Sequence, residues 1–194
     1  MLKYVQDERW AIRHAAINSL RGCIHPVAEE TLINIIKDSS DKYDLVYAVS
    51  VLSDIGSNRS IPYLINLIDN PKEDVKCSAI LAISEIGDDS LLPVFLEALQ
   101  SHSASVKSYA MSAIKKHGNE TAIVPVSERI KAILKRKRGT ESEELKNALE
   151  FLMYFKNKQV EIQEFFKWIT HKKWEFLFEE EKKLLAENFT KREL

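Results

Sequence analysis

Two stretches of the chain share one pattern: DLVYAVSVLSDIG at residues 44–56 and VKCSAILAISEIG at residues 75–87. An alanine, two large aliphatic residues and the terminal glycine occupy the same relative positions in both. The interval between Gly56 and Gly87 also separates the Ile-Pro pair at 61–62 from the Leu-Pro pair at 92–93. This self-similarity indicates an internal repeat.

The repeat continues in both directions along the chain. A further step of the same length brings four positions into register: Val106, Ala110, Ile114 and Gly118. A slightly longer step backwards from the first stretch aligns three more: Ile12, Ala16 and Leu20. Since chance similarity rarely survives successive steps, the sequence predicts a repeat protein.

Each repeat is predicted to contain two helices. In residues 75–87, apolar residues recur at spacings of three and four, which is typical of one buried helix face. We expect Gly87 to end this helix in the left-handed conformation, because glycine has no Cβ to clash there. Pro93 is expected in the first turn of the next helix, where its missing N–H costs nothing. Two helices cannot bury both apolar faces alone, so neighbouring repeats must stack as an α-solenoid.

These repeats resemble HEAT-like repeats, in particular the short class found in phycobilin-lyase-type proteins. The resemblance rests on the glycines, the prolines and three aliphatic–basic pairs that precede the helix alanine: Ile12-Arg13, Val75-Lys76 and Val106-Lys107. It covers about residues 8–137 and implies an all-α fold, a right-handed α-solenoid (α-α superhelix) of about five helix pairs with a C-terminal capping helix. Asp44-Leu45 departs from the aliphatic–basic pattern, and Gly22 and Pro125 are displaced from the expected positions.

Residues 140–194 are predicted to hold a degenerate fifth repeat and an aromatic-rich cap. The step to this repeat is longer than the others, because a charged linker intervenes from Lys135 to Ser142. A final helix is expected near Lys173 to Asn188, and the aromatic residues around it are interpreted as closing the last exposed core surface. Residues 1–194 are therefore interpreted as a single repeat domain.

The composition is typical of a helical protein with a core: 45% hydrophobic residues, 29% charged residues, five glycines and five prolines. A net charge of −1 disfavours wholesale binding to nucleic acid or an acidic membrane. Cys23 and Cys77 are too few for a disulfide framework and are expected to be buried, reduced thiols. Without a signal-like or membrane-spanning apolar run, we expect a cytoplasmic protein that does not contact membranes.

The sequence contains no recognisable catalytic or metal-binding motif. None of the five histidines is followed by glutamate, as in the HEAT-repeat iron hydroxylases, and no two share a helix face at a spacing of four. A nucleophile elbow, a phosphate-binding loop and a dinucleotide fingerprint are also lacking. We therefore expect a non-enzymatic protein with no cofactor and no metal.

A basic segment at residues 129–138 is the strongest charge feature. It holds six cations and no acid: Arg129, Lys131, Lys135, Arg136, Lys137 and Arg138. Helical periodicity places Lys131, Lys135 and Arg138 on one exposed face, where they can contact phosphates or an acidic protein surface. The alternative is a solvated helix end, where cations suit the C-terminal dipole.

HEAT-like arrays line a concave face with the second helix of each pair. Outside the predicted core, six residues are candidates for that face: Tyr63, Asn66, Glu97, Lys131, Lys135 and Lys167. With Arg129 and Arg138 they form the set of candidate partner-binding residues. An exposed tyrosine is a common interface anchor, whereas the alternative for Tyr63 is packing at the edge of the core.

Three functions are compatible with these features. The favoured one is a scaffold, adaptor or inhibitor that binds a protein partner, with a toxin-neutralising immunity protein as a narrower form. The alternative is binding of a nucleic-acid backbone through residues 129–138, in the manner of the HEAT-like alkylpurine DNA glycosylases. A phycobilin lyase is suggested by the repeat class alone.

Overall fold

The structure is a computed structural model that describes residues 2–189. Within that range it contains eleven α-helices and no strand. The helices are α1 (Trp10–Asn18), α2 (Pro26–Asp38), α3 (Lys42–Ile55), α4 (Ile61–Asn66), α5 (Glu73–Ile86), α6 (Leu92–Ala98), α7 (Ala104–His117), α8 (Ile123–Ile133), α9 (Glu143–Phe155), α10 (Val160–Lys172) and α11 (Glu179–Asn188). The chain divides into two compact units, Met1–Ala113 and Ile114–Leu194, and each is described by itself.

Helix pairs stack in the first unit as the repeats predict. The first helices α1, α3 and α5 pack side by side, while α2 and α4 contact one another and the first helix of the following pair. Ala48 on α3 and Ala79 on α5 occupy equivalent repeat positions, and both are completely buried. Small side chains at these positions allow each first helix to approach its neighbours closely.

Helix starts follow the expected signals. Pro26, Pro62 and Pro93 each lie in the first turn of a second helix, which confirms the expectation for Pro93. Asp41 caps α3, because its carboxylate accepts hydrogen bonds from the backbone N–H groups of Tyr43 at 2.8 Å and Asp44 at 3.2 Å. None of the helices within residues 2–189 has the length and apolar character that crossing a bilayer requires.

The repeat glycines do not adopt the expected left-handed conformation. Gly87 has a φ of −89° and Gly56 a φ of −67°, and Gly22 is the one residue in the described range with a positive φ. Steric crowding around the Cβ position explains why glycine occurs at residue 87. The N–H of Gly87 donates to the carbonyl oxygen of Ile83 at 2.9 Å, and a Cβ at Gly87 would lie 2.6 Å from that oxygen and collide with Leu91. Glycine therefore occupies this position because a Cβ would collide with the end of the preceding helix. A left-handed conformation is not the reason.

Asp44, which departs from the repeat pattern, is buried and fully engaged. The Nε of Arg13 donates to its two carboxylate oxygens at 2.7 and 2.8 Å, and Ser39 Oγ donates at 3.1 Å. The Nε2 of His14 lies 2.8 Å from Oδ1 of the same carboxylate. These three side chains compensate the buried charge of Asp44. At this repeat position, an ion pair between Arg13 on α1 and Asp44 on α3 therefore takes the place of an aliphatic residue such as Val75.

A second buried carboxylate ties α2 to the turn before α4. Glu29 accepts hydrogen bonds from the N–H and hydroxyl of Ser57, at 2.8 and 2.7 Å, and from the hydroxyl of Ser60 at 2.7 Å. Burial alone raises the pKa of Glu29, but these hydrogen bonds outweigh it and lower the pKa below its usual value. Glu29 is therefore a structural anion that holds this turn.

In the second unit, α8 packs against α9, and α9 and α10 form the fifth helix pair. The core of this unit is built from large side chains with almost no exposed surface: Ile130, Leu149, Leu152, Phe166, Ile169 and Leu185. Gly118 repeats the crowding seen at Gly87, because a Cβ there would lie 2.6 Å from the Phe151 ring. Lys115 reaches Asn147 and Glu150 on α9.

The final helix expected near Lys173 to Asn188 is present but shorter than predicted. A 3₁₀ turn at Trp174–Phe176 is followed by two residues in extended conformation, and α11 begins at Glu179. A capping contact stabilises the start of α11 after this break. The carboxylate of Glu181 turns back to accept the N–H of Phe178 at 3.0 Å, which satisfies a free donor at the start of α11.

Replacing Gly87 with alanine is expected to destabilise the protein by about 1–3 kcal/mol, because the new methyl group must displace the Ile83 carbonyl or Leu91. Gly139→Ala is the matched control, since no atom lies within 4 Å of its Cβ position. The free energy of unfolding is measured by urea denaturation followed by circular dichroism. Equal stability of the two variants would contradict the steric explanation.

Candidate functional site

Three of the candidate partner-binding residues lie on second helices of the first unit. Tyr63 and Asn66 are on α4, and Glu97 is on α6. Asn66 and Glu97 are exposed, whereas Tyr63 is half-buried, with the Nζ of Lys37 at 6.0 Å from its ring centroid. The ring therefore packs at the edge of the core, and a role for Tyr63 as an interface anchor stays a prediction.

An open groove of about 330 Å³ lies beside these second helices. Apolar side chains line it from both helices and the first helix of the next pair, and they include Ile65, Ile68, Val94 and Val106. Its polar lining comes from Asp69, Lys76, Ser101 and His102, together with Glu97. The structure thus brings Glu97 into a groove, whereas Tyr63 and Asn66 lie outside its lining.

The basic segment does not form the expected row of cations. Helix α8 ends at Ile133, so the residues from Lys135 onward do not continue its face. Lys131 and Lys135 are exposed, but the side chain of Arg138 is only 13% exposed. Its guanidinium donates to both oxygens of Glu181, at 2.6 and 2.5 Å, and to the carbonyl of Phe176 at 3.0 Å. The common exposed face is therefore wrong for Arg138.

Arg129 is also used inside the second unit. Its Nε and a terminal nitrogen donate to the two carboxylate oxygens of Glu144, at 2.5 and 3.0 Å, which joins α8 to the start of α9. Glu144 is buried, so this bidentate pair has little exposure to screening by solvent. Lys167, on α10, is exposed and pairs with Glu164 at 2.7 Å.

A row of lysines and aromatic rings in the second unit was not predicted. The Nζ of Lys131 lies 5.6 Å from the ring centroid of Phe165, which stacks on Trp168 at 5.5 Å and 24°. The Nζ of Lys173 lies 5.8 Å from Trp168 and 4.3 Å from Phe176. We call these five residues the aromatic–lysine surface.

The sequence carried a signal for this surface. Phe165 and Trp168 are three residues apart, so they share a helix face, and their neighbours Phe166 and Ile169 share another. In the structure Phe166 and Ile169 are buried, while Phe165 and Trp168 are half-exposed. Of the three aromatic residues in this set, Phe165 and Trp168 are therefore not enclosed in the core, contrary to their interpretation as part of a cap.

A second aromatic cluster lies on first helices of the first unit. Trp10 is 67% exposed and Tyr43 is 58% exposed, and the ring of His14 lies between them at 5.6 and 6.3 Å. Tyr47 stacks on His14 at 4.7 Å. The residues predicted to line the concave face belong to second helices, whereas these four residues belong to the first helices α1 and α3.

His14, Asp41 and Asp44 are close enough for one metal ion, since their ligand atoms lie within 4.8 Å of one another. Arg13 argues against that use. Its guanidinium binds both oxygens of Asp44 and lies 4.0 Å from Asp41, so a cation already holds the position that a metal would need. The backbone N–H of Asp44 contributes most to lowering the pKa of Asp41, which acts as a helix cap.

The two cysteines differ in environment. Cys77 is buried as expected, and burial raises the pKa of its thiol to about 11. The expectation of burial is wrong for Cys23, which is exposed in the turn after α1, next to Gly22 with its φ of 76°. Because the helix stops before Cys23, its side chain leaves the apolar face that the sequence pattern suggested.

We expect one thiol to react with Ellman's reagent in the native protein and the second to react only after denaturation. Cys23 is exposed, whereas Cys77 is both buried and protonated at neutral pH. Absorbance counts the thiols, and Cys23→Ser should remove the fast reaction. Two thiols reacting at one rate in the native protein would contradict the burial of Cys77.

Arg138→Ala is expected to cost about 3–5 kcal/mol of stability, because it leaves the buried Glu181 carboxylate without its cation. Lys135→Ala, which removes an exposed cation three positions away, should change stability by less than about 0.5 kcal/mol. Urea denaturation measures both. If the two variants were equally stable, Arg138 would not be a structural residue.

The stacked helix pairs define an all-α repeat protein of the solenoid class, as the sequence predicted. The family model for HEAT repeats matches residues 1–84, 29–115 and 61–138. These overlapping ranges span more than half of the chain, which therefore belongs to the HEAT repeat family. A search of curated proteins finds no match.

Solved structures share this fold. An engineered protein is 19% identical with a TM-score of 0.58, and the alignment covers 96% of this chain and 94% of that one. A designed armadillo repeat protein is 17% identical with a TM-score of 0.58, over 97% and 98% of the two chains. The complex of CpcE and CpcF of phycocyanin lyase from Nostoc sp. PCC7120 is 18% identical with a TM-score of 0.65, over 84% and 66%. At these identities the likeness concerns the fold alone.

Proposed function

We propose that this chain is a non-catalytic scaffold that binds a protein partner through residues of its second helices. The HEAT repeat family supports this proposal, because stacked helix pairs offer long side-chain surfaces without a deep pocket. An inhibitor or immunity-type protein would be one form of such a scaffold.

The groove beside α4 and α6 is the observation that carries the proposal. It combines an apolar lining, in which Ile65, Ile68 and Val94 take part, with charged groups such as Glu97 and Lys76. This combination of apolar and polar surface is typical of protein interfaces, where an apolar centre is surrounded by a polar rim. Its open form and volume of about 330 Å³ suit a few partner side chains better than an enclosed small molecule.

The ion pairs of the second unit disfavour binding of a nucleic-acid backbone through residues 129–138. Arg129 and Arg138 are bound to Glu144 and Glu181, so two of the six cations are neutralised by carboxylates. Affinity for nucleic acid grows with the number of phosphates that cations neutralise. The lyase alternative rests on a fold likeness to CpcE and CpcF, and fold alone does not carry an activity.

Site-specific cross-linking tests the proposal. A photo-reactive amino acid at position 97 should give one discrete cross-linked protein in the cells that make this chain. The same amino acid at position 112, an exposed serine on α7, is the control and should not give that product. Ile68→Glu, combined with the probe at 97, should reduce the product strongly because it places a charge in the apolar part of the groove.

Several outcomes would contradict this function. One is cross-linking to the same protein with equal yield from positions 97 and 112. Another is tight binding of duplex DNA at moderate salt that Lys131→Glu/Lys135→Glu abolishes, which would favour the nucleic-acid alternative. A covalent chromophore adduct, seen by absorbance after incubation with bilin, would favour the lyase.

A further inference from the structure

We propose that the aromatic–lysine surface of the second unit binds an acidic protein segment that also carries apolar side chains. This inference rests on the proposed function, since it assumes that second helices bind protein, and it adds the chemistry of the partner. The surface combines Lys131 from α8, Phe165 and Trp168 from α10, and Lys173 and Phe176 from the chain that follows α10.

The five side chains form one continuous series of contacts. Lys131 contacts Phe165, Phe165 stacks on Trp168, and Lys173 lies against both Trp168 and Phe176, with all of these distances between 4.3 and 5.8 Å. The three rings are half-exposed. Aromatic rings of this kind bury a large apolar area at a small cost in conformational entropy, so they are frequent anchors of protein interfaces.

The positive charge of this surface remains available to a partner. Arg129 and Arg138 are neutralised by buried carboxylates, whereas the ammonium groups of Lys131 and Lys173 lie over aromatic rings, which carry no net charge. Lys135 adds a further exposed cation near the end of α8. The second unit holds 18 basic and 14 acidic residues, a net charge of +4, so its field also attracts an acidic partner.

The arrangement of the rings favours a peptide over a single-stranded nucleic acid. Bases bind to aromatic side chains by stacking on an open ring face. Here Phe165 and Trp168 stack on each other, and Lys131 and Lys173 lie over ring faces as well. The ring edges can contact apolar side chains, and the ammonium groups can bind carboxylates. A segment that carries both kinds of side chain is therefore the best match.

The test uses the full chain and short fluorescent peptides. The probe alternates pairs of acidic residues with leucine and phenylalanine, and a matched peptide has lysine at every acidic position. An oligothymidylate with the same number of units tests the nucleic-acid alternative. Fluorescence anisotropy measures the affinities. We expect the acidic probe to bind, and its affinity to fall as salt is raised.

Charge-reversal variants locate the site. Lys131→Glu/Lys173→Glu should weaken binding of the acidic probe by roughly tenfold or more. Lys72→Glu/Lys146→Glu makes the same change in net charge at exposed lysines outside the surface and should leave the affinity almost unchanged. Trp168→Ala should also weaken binding, because it removes the central ring. Circular dichroism establishes that each variant is folded.

Four results would overturn the inference: no binding of the acidic probe, equal binding of the lysine peptide, tighter binding of the oligothymidylate, or equal weakening by the two double variants. Failure here is distinguishable from failure of the proposed function. If the peptide results are negative but the cross-link from position 97 persists, this inference falls and the scaffold function stands. If the cross-link is absent while the peptide binds at this surface, the groove of the first unit is excluded instead.

Discussion

Burial of apolar side chains between successive helix pairs explains most other features of this structure. A pair of short helices cannot cover its own apolar faces, so each first helix must be enclosed by neighbours. Ala48 and Ala79 have no exposed surface for this reason, and glycines such as Gly87 end the helices where a Cβ would strike the backbone. Small residues at fixed positions are thus a consequence of close packing between repeats.

Buried carboxylates also join helices and turns to one another, in addition to the contacts of the apolar core. Asp44 links α1 to α3, Glu29 holds the turn before α4, and Glu144 links α9 to α8. Glu181 binds Arg138 and also caps α11. Each of the arginine–carboxylate pairs is costly to break, because loss of the arginine leaves a buried carboxylate without its cation. These links engage Arg13, Arg129 and Arg138, and the last two are therefore less available at the surface of the basic segment.

The candidate surfaces differ in the way that charge and apolar area are combined. In the first unit, the groove places charged groups such as Glu97 around an apolar lining. In the second unit, Lys131 and Lys173 stand against aromatic rings that leave their charge unneutralised. Both arrangements offer apolar contact and electrostatic selectivity together, which is what recognition of a protein surface requires.

The repeat, the helix pairs and the position of their prolines can be predicted from local sequence, because a buried helix face and a proline in a first turn leave local patterns. Which cations are available to a partner depends on long-range contacts, since Arg138 and Glu181 are far apart in the chain and meet only through folding. The conformation of Gly87 and the exposure of Cys23 also depend on neighbouring backbone that no local pattern records. Similarly, one helix carries the buried Phe166 and the half-exposed Phe165, and the packing of the surrounding helices decides between these environments.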